Sequence, residues 1–367
     1  MTATTIDRAL TDELTADITT SGTETAPVLA PFTGELLHDL PISTLQDVED
    51  AAAAARVAQA AWWAAGDAHR RRVLLKAHDL LLERTEELLD ILQTESGKTR
   101  GQAFEEIFQG ANVTRYAALG ARRALATKRR RAGIPLVTIT HVTYRPKGLA
   151  GVITPWNYPV SLSLMDVVPA LATGNAVLQK ADNQGALSIL ASRRAYIDAG
   201  VPAALWPVVT GPGAEIGSAV IDEADVVCFT GSTPTGKQVA AQAASKLTYA
   251  SLELGGKNPM IVLDDVNPAH AASAAVYACF SSMGQLCVSD ERIFVQRAVA
   301  EPFIAEFVKR TKALKQGAAL DYSTDVGALT LPSQVERVQE HVDDAVAKGA
   351  TVLAGGRIRT DLGPNFY

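Results

Sequence analysis

Residues 148–180 read "GLAGVITPWNYPVSLSLMDVVPALATGNAVLQK", and this stretch decides the fold. The apolar run 148–154 predicts a strand, 161–174 a helix and 175–180 a second strand. The alternation then continues with helix 185–200, strand 205–210, helix 214–222 and strand 224–230. Strands that alternate with helices predict an α/β fold with a parallel, doubly wound sheet. Ligands bind such sheets at the carboxyl ends of the strands, so the residues after each strand are the candidate site.

The first two strand ends offer an amide and a cation. "PWNYP" (155–159) follows the first strand, and its two prolines keep Asn157 out of both ladder and helix. Asn157 is either a plain turn residue or a donor to a ligand oxygen. Lys180 ends the second strand, where it is either a surface lysine or a partner for a nucleotide hydroxyl or phosphate.

The next two strand ends are rich in glycine. "GPGAEIG" begins at Gly211 and "GSTPTG" at Gly231, and each stands between a predicted strand and a predicted helix. Such glycines let backbone N–H groups approach a pyrophosphate, although the spacing is not the standard G-x-G-x-x-G. Ser232 is a candidate N-cap, and a helix N-terminus attracts phosphate. Together the four strand ends indicate a nucleotide site.

Two further residues are candidates for chemistry. Glu253 stands before Gly255 and Gly256 in "SLELGGKNP", where a carboxylate can swing or simply end a strand in solvent. Cys287 stands in the small, polar stretch "MGQLCVS" (283–289), after the apolar run 274–280. From its context alone, Cys287 can be a core residue, a metal ligand, half of a disulfide or a nucleophile.

Composition narrows these choices. The 367 residues carry 34 basic and 40 acidic side chains, a net charge of −6, which gives no reason to expect nucleic-acid binding. The 3 cysteines form no C-x-x-C pair, so we expect neither a disulfide framework nor a metal site made of cysteines. We expect a reducing, cytoplasmic location, in which thiols stay free. We predict no metal site, no signal peptide and no membrane helix.

The chain length predicts more than one domain. We expect a mobile N-terminal tail over 1–26 and a dinucleotide-binding domain over 27–132 and 147–254. The segment 133–146 alternates apolar and polar residues and predicts a β-hairpin, while residues 255–367 form a second, catalytic α/β domain. The basic run "KRRRAG" (128–133) is interpreted as a solvated helix end.

Four ordered motifs now point to a family. "TPWNYP", "FTGST", "ELGGKNP" and "GQLC" resemble the signatures of the NAD(P)-dependent aldehyde dehydrogenases, over a match from about residue 30 to the end. The segments "VTYRPKG", "PALATGNAV", "LGGKNPMIV" and "HVDDAVAKGA" are most similar to NADP-linked succinate-semialdehyde dehydrogenases. The resemblance implies a Rossmann-type cofactor domain, a catalytic domain and a small oligomerisation hairpin, with assembly as a homodimer or homotetramer.

The resemblance also implies site roles. Cys287 is then the nucleophile that attacks an aldehyde, Asn157 and the Cys287 N–H hold the oxyanion, and Glu253 activates water to hydrolyse the thioester. The implied reaction is oxidation of an aldehyde, with succinate semialdehyde as the expected substrate and NADP or NAD as the cofactor. The implied cofactor contacts are Thr154, Trp156, Asn157, Lys180, Asn183, Gly211, Gly231, Ser232 and Leu254.

This sequence departs from the family pattern at several points. Met165 and Ser281 stand where arginines grip the substrate carboxylate in well-known succinate-semialdehyde dehydrogenases, so either Arg292 serves instead or the substrate differs. Ser289, two residues after Cys287, stands where the family has a second, redox-paired cysteine. Asn183 replaces an acidic residue common in NAD-preferring members, which favours NADP. Family members also continue well beyond "LGPNFY" (362–367), so the resemblance implies a catalytic domain that is incomplete here.

Three rival interpretations remain. The chain could be an inactive nucleotide-binding fragment, which turnover by this chain would exclude. It could be a non-enzymatic structural protein, against which the set of Cys287, Glu253 and Asn157 argues. It could be a related acyl-CoA-forming dehydrogenase, but those typically lack the general-base glutamate that Glu253 resembles.

Overall fold

The computed structural model describes residues 5–367, and within them α-helices and β-strands alternate along most of the chain. The strands are β1 (Thr25–Leu29), β2 (Leu36–Pro41), β3 (Lys128–Arg130), β4 (Thr140–Val142), β5 (Leu149–Ile153), β6 (Ala176–Lys180), β7 (Val208–Val209), β8 (Val226–Thr230), β9 (Tyr249–Glu253), β10 (Asn258–Val262) and β11 (Asp290–Val295). The helices are α1 (Arg8–Thr15), α2 (Leu45–Ala64), α3 (Gly66–Glu83), α4 (Thr85–Ser96), α5 (Arg100–Ala124), α6 (Pro159–Ala172), α7 (Ala186–Ala199), α8 (Ser218–Glu223), α9 (Thr233–Ser245), α10 (Pro268–Phe280), α11 (Arg297–Ala313) and α12 (Pro332–Ala347).

The central sheet is parallel and has the order β7-β6-β5-β8-β9. Strands β5 and β6 are buried almost throughout because helices cover both of their faces, and β5 is apolar along its length. The chain runs outward from β5 to β7, then crosses back to lay β8 on the other side of β5. The sheet therefore has a switch point between the carboxyl ends of β5 and β8, where a doubly wound fold binds its ligand. The predicted fold class is confirmed.

Different helices cover the two faces of this sheet, α6 on one and α8 on the other. On β6, Gln179 donates to the hydroxyl of Ser163 on α6 over 2.8 Å, so α6 covers that face. On the opposite face, Gly151 of β5 is so close to α8 that an added Cβ would lie 2.8 Å from the Cβ of Ala224 and 3.2 Å from a Val220 methyl carbon. Helices α3, α4 and α5 pack around α6 and α7 as an outer layer.

The second α/β unit is smaller. Strands β10 and β11 pair in parallel, and α10 and α11 pack together against them. Val262, Ala272, Ala275 and Phe303 form the centre of its apolar cluster. This unit contains the loop between α10 and β11, on which Cys287 lies.

The hairpin differs from its predicted bounds. Strand β3 pairs antiparallel with β4, so the hairpin begins at Lys128 rather than at residue 133. The interpretation of the basic run as a helix end is therefore wrong, because α5 already ends at Ala124. A strand that is exposed on its whole length carries charged side chains without cost, which hides it from a search for apolar alternation.

The prediction of a mobile N-terminal tail is also wrong for much of its length. Helix α1 buries Leu14 at 1% exposure, and Ile18 forms a parallel bridge with Val208 at the edge of the central sheet. Asp17 pairs with the buried Arg193 at 2.9 Å. The same tail prediction for residues 1–4 lies outside the described residues. Within residues 5–367, none of the helices has the length and apolarity needed to span a membrane.

Candidate active site

Cys287 lies on an exposed loop that leaves the end of α10. The other two cysteines are partly buried, and burial raises the pKa of Cys228 to about 12 and that of Cys279 to about 11. Because the thiolate is the nucleophilic form, these two thiols are poor nucleophiles at neutral pH. Cys287 is the accessible thiol of the described chain.

The amide of Asn157 is tied to the same loop. Pro159 begins α6, so Asn157 lies just before the helix, and its Nδ2 donates to the carbonyl of Gln285 over 2.8 Å. An Asn amide has two N–H groups, so one remains for an oxygen near Cys287. Within residues 5–367 the backbone N–H of Cys287 has no acceptor either. The loop that carries the thiol thus has one N–H donor of its own and is bonded to an amide that has a second one, and an oxyanion site is built from such donors.

Glu253 is linked to this loop through the chain segment that follows it. It ends β9 in register with Thr230 of β8, and its side chain is exposed. Five positions later Asn258 opens β10 and donates to the carbonyl of Cys287 over 2.7 Å and to that of Ser289 over 2.9 Å. The chain segment that follows Glu253 is therefore bonded directly to the cysteine loop.

Lys180 lies at the carboxyl end of β6 and is 6% exposed. Burial lowers the pKa of its ammonium group, and the negative charge of Asp182 opposes that effect. In the described part of the chain its Nζ has no hydrogen-bond or ion-pair partner. A buried cation without a protein partner fits a nucleotide hydroxyl or phosphate.

Asn183 and Gly211 are hydrogen-bonded to each other near the carboxyl ends of β6 and β7, in the candidate cofactor cleft. The backbone N–H of Gly211 donates to Oδ1 of Asn183 over 3.0 Å, which fixes the amide so that its N–H groups point away from Gly211. Gly211 has φ +133, and a Cβ there would lie 2.8 Å from the side chain of Ile216. The Asn183 amide N–H groups thus remain available as donors, which suits a ribose or phosphate.

The N-terminus of α9 faces the switch point. Ser232 caps the helix by accepting from the N–H of Thr235 over 3.3 Å, and the first turn contains no acidic residue. Gly231 donates to the carbonyl of Glu253 over 3.0 Å, which joins the α9 start to the end of β9. An added Cβ on Gly236 would lie 2.4 Å from Leu254, so Leu254 packs against the first turn of α9. The positive end of this helix dipole suits a pyrophosphate.

Two predicted cofactor contacts differ in accessibility. Thr154 is 2% exposed, and its hydroxyl accepts from Gln179 over 3.2 Å, so its side chain belongs to the buried network beneath the cleft. Trp156 is half-buried and immediately precedes Asn157. A cofactor contact by Thr154 would therefore involve its backbone, while Trp156 can present its ring.

Arg292, Met165 and Ser281, the three residues considered for binding a substrate carboxylate, supply no free cation. Arg292 donates from Nε and Nη2 to the carbonyl of Lys257, over 2.9 and 2.6 Å. Met165 is exposed on α6, and the hydroxyl of Ser281 donates to the backbone carbonyl of Tyr277. None of the three resembles a prepared clamp for a carboxylate.

Several residues of the site were missed by sequence reasoning. Asp166 on α6 faces Glu253, and Tyr158 and Ser282 are hydrogen-bonded to each other beneath the cysteine loop. Lys98 and Glu106 form a buried ion pair behind Tyr158. Lys98 and Glu106 stand eight positions apart in a mostly polar stretch, so the sequence gives no signal that they are buried.

Comparison with known proteins agrees with this geometry. The model of the "Aldehyde dehydrogenase family" matches residues 18–367. A relative from Mycolicibacterium smegmatis, named "Putative succinate-semialdehyde dehydrogenase [NADP(+)]", is 45% identical over 344 residues, which are 94% of this chain and 66% of the relative. The chain thus spans just under two thirds of the length of that curated relative.

Solved structures show the same fold. The structure of an E. coli "NADP dependent enzyme" superposes with a TM-score of 0.92 at 31% identity, covering 95% of this chain and 73% of that one. PnpE in complex with nicotinamide adenine dinucleotide superposes with a TM-score of 0.90 at 30% identity, covering 93% and 70%. The ordered motifs, the switch-point sheet and these matches agree, and the chain belongs to the aldehyde dehydrogenase family.

Proposed function

We propose that the protein oxidises an aldehyde to a carboxylic acid with NADP as the cofactor. The observation that supports this best is the hydrogen bond from Asn157 to the carbonyl of Gln285. This bond ties an amide donor to the loop of the exposed Cys287, and thiol addition to a carbonyl needs a thiol and such a donor together. Asn258 bonds this same loop to the segment that follows Glu253.

In this proposal each protein group has one task. The Cys287 thiolate attacks the aldehyde carbon, and the oxyanion that forms accepts hydrogen bonds from the Asn157 amide and the Cys287 N–H. When bound, the nicotinamide supplies the redox chemistry by accepting a hydride. Glu253 then removes a proton from a water molecule that attacks the thioester on Cys287. The carboxylic acid leaves, and the thiol is restored.

The cofactor cleft fits a dinucleotide. Lys180 is a buried cation without a protein partner, and the α9 start offers its N–H groups to a pyrophosphate. Asn183 presents donors, where a carboxylate would repel a 2′-phosphate. We therefore propose NADP over NAD. Glutamate in place of Asn183 should reverse the preference, which the ratio of dissociation constants for the two cofactors measures without any aldehyde.

Succinate semialdehyde is the proposed substrate, and the support is the name of the 45% identical relative. The site itself offers less, since Arg292 is bound to the Lys257 carbonyl. A panel should compare succinate semialdehyde with butyraldehyde, which has the same chain length and no carboxylate. A preference for butyraldehyde of about a hundredfold in kcat/KM, worth about 2.7 kcal/mol, would reject the substrate and leave the reaction class standing.

Cys287→Ser tests the reaction class. We expect it to abolish NADPH formation and to leave NADP binding unchanged, because the hydroxyl is a far weaker nucleophile. Cys279→Ser is the matched control, since that thiol is partly buried and its pKa is raised. A chain that binds NADP but oxidises no aldehyde would favour the nucleotide-binding alternative. Product formation only with coenzyme A would favour an acyl-transferring dehydrogenase.

A further inference from the structure

The loop that leads to Cys287 begins with a left-handed turn. Ser282 has φ +48, Met283 φ +58 and Gly284 φ +72, and the N–H of Gln285 closes the turn on the carbonyl of Ser282 over 2.9 Å. Side chains other than glycine avoid this region, and two in succession persist only where the surroundings hold them. Because Cys287 lies three residues after Gly284, whatever holds the turn also sets the position of the thiol.

Tyr158 makes the contact that can hold it. Its hydroxyl lies 2.6 Å from the hydroxyl of Ser282, and both side chains are buried, at 8% and 1% exposure. Tyr158 directly follows Asn157 in the chain. The same two-residue segment therefore bonds the turn at its start, through Tyr158, and at its end, through Asn157 and Gln285.

The ring of Tyr158 is itself fixed from behind. The ammonium group of Lys98 lies 3.6 Å from the ring centroid, a cation–π contact made in a buried site. Lys98 is paired with Glu106, which also accepts from the N–H groups of Val160 and Ser161 over 2.7 and 3.1 Å at the start of α6. The ring is thus anchored to the helix start that positions Asn157.

We propose that Tyr158 is a positioning residue: its hydroxyl holds the left-handed turn at Ser282 and so fixes Cys287 relative to the Asn157 amide. This rests on the proposed function for the roles of Cys287 and Asn157, while the link between Tyr158 and the turn stands apart from it. Tyr158 acts on the reaction only through the turn.

Tyr158→Phe is the first test because it removes the hydroxyl and keeps the ring over Lys98. Hydrogen exchange of the peptide 281–289 should speed up by about 5- to 10-fold, the factor that corresponds to one lost neutral hydrogen bond. The rate of the NADPH burst with aldehyde should fall roughly 10- to 100-fold, since small misplacements of reacting groups are costly. The dissociation constant for NADP should stay the same.

Ser282→Ala removes the other partner of the same bond, so it should give the same exchange rate, and the double variant should be no faster than either single one. Tyr196→Phe is the matched control, because Tyr196 is fully buried and bonds Thr114 far from the turn. It should lower the melting temperature without changing exchange at 281–289 or the burst rate.

Unchanged exchange at 281–289 in Tyr158→Phe would overturn the proposal, as would effects of Tyr158→Phe and Ser282→Ala that add in the double variant. Hydrogen exchange is measured without aldehyde, so it tests the link between Tyr158 and the turn separately from the proposed dehydrogenase function. Faster exchange in both single variants, with no NADPH burst even in the unaltered protein, would support the link and reject the dehydrogenase function.

Discussion

Glu253 is exposed at the end of β9, where water can reach its carboxylate. In the proposed reaction this carboxylate is needed to hydrolyse the thioester and not to form it. Glu253→Gln should therefore keep a burst of NADPH close to one per site and lose about 10²- to 10⁴-fold in steady-state turnover. Stopped-flow absorbance of NADPH measures both phases. Loss of the burst with normal NADP binding would show that Glu253 acts earlier, on the thiol.

Asp166 faces the same carboxylate from α6. The β8–β9 register aligns Cys228 with Ser251 and Thr230 with Glu253, on the sheet face that α6 covers. Burial first, and then the charge of Glu253, raise the pKa of Asp166 to about 6 from 3.8. Charged side chains on the elements around α6 include Arg70, Glu105, Glu106, Arg115, Lys180 and Arg193, but Glu253 is the one whose charge shifts Asp166.

The raised pKa makes ionised Asp166 a cost to the fold. The folded state binds the Asp166 proton more tightly than the unfolded state, so the stability due to this group falls as pH rises from 3.8 to about 6. Asp166→Asn should raise the free energy of unfolding near neutral pH by about 1–3 kcal/mol and flatten its decline over that window. Urea unfolding at several pH values measures this, with exposed Asp264→Asn as control. A less stable Asn variant near neutral pH would contradict it.

At the scale of residues, the sequence indicated the proposed reacting groups and missed the side chains that support them. Cys287, Glu253 and Asn157 stand in short motifs whose composition is unusual for a core or a surface. Tyr158 and Ser282, in contrast, are 124 positions apart, and nothing local to either indicates a buried hydrogen bond. Such links depend on how β5, α6 and α10 pack, which is a property of the folded chain.

Two buried glutamates cap helices of the central fold. Glu95 on α4 accepts from the N–H groups of Leu187 and Ser188 over 3.0 and 2.9 Å at the start of α7. Glu106 on α5 does the same for α6, but it is also paired with Lys98. Burial raises the pKa of Glu95 to about 7, and its hydrogen bonds with Ser188 and Leu187 oppose that rise. The two caps thus have similar geometry and different charge balance.

This difference predicts unequal costs for the same substitution. Glu106→Gln leaves Lys98 buried without a carboxylate and should lower the free energy of unfolding by about 3–5 kcal/mol. Glu95→Gln removes one acceptor from a site without a cation and should cost about 1–3 kcal/mol. The double variant Lys98→Met/Glu106→Gln should recover part of the loss. Urea unfolding compares the three, and a greater cost for Glu95→Gln would contradict the argument.

Among the elements, the sequence predicted the strands and helices of the central sheet because their apolar runs are long and regular. It missed α1, which has 8 residues and few apolar positions. Its order comes from tertiary contacts, namely the burial of Leu14 and the pairing of Asp17 with Arg193. Strand β3 was missed because all of its residues are exposed, so it shows no alternation of apolar and polar residues.

For the whole molecule, the hairpin of β3 and β4 stands apart from the packed layers. It has two strands, and a lone two-stranded hairpin is marginally stable in water. The segment that joins its strands exposes Ile134, Leu136, Val137 and Ile139 by 58 to 106%. Both outer edges of the hairpin present unpaired backbone groups, which invite pairing with another chain. We therefore propose that this hairpin joins copies of the protein into a homodimer or homotetramer.

Val137→Asp together with Ile139→Asp tests this assembly. The two carboxylates would be buried without partners at the contact between copies, so the variant should sediment as a smaller species and dissociate at concentrations at which the unaltered protein stays associated. Val57→Asp is the control, because Val57 is 77% exposed on α2, away from the hairpin. Analytical ultracentrifugation across a range of concentrations measures the change. If the double variant associates as strongly as the unaltered protein, the assembly surface lies elsewhere. If the unaltered protein is monomeric at every concentration, the hairpin joins no copies.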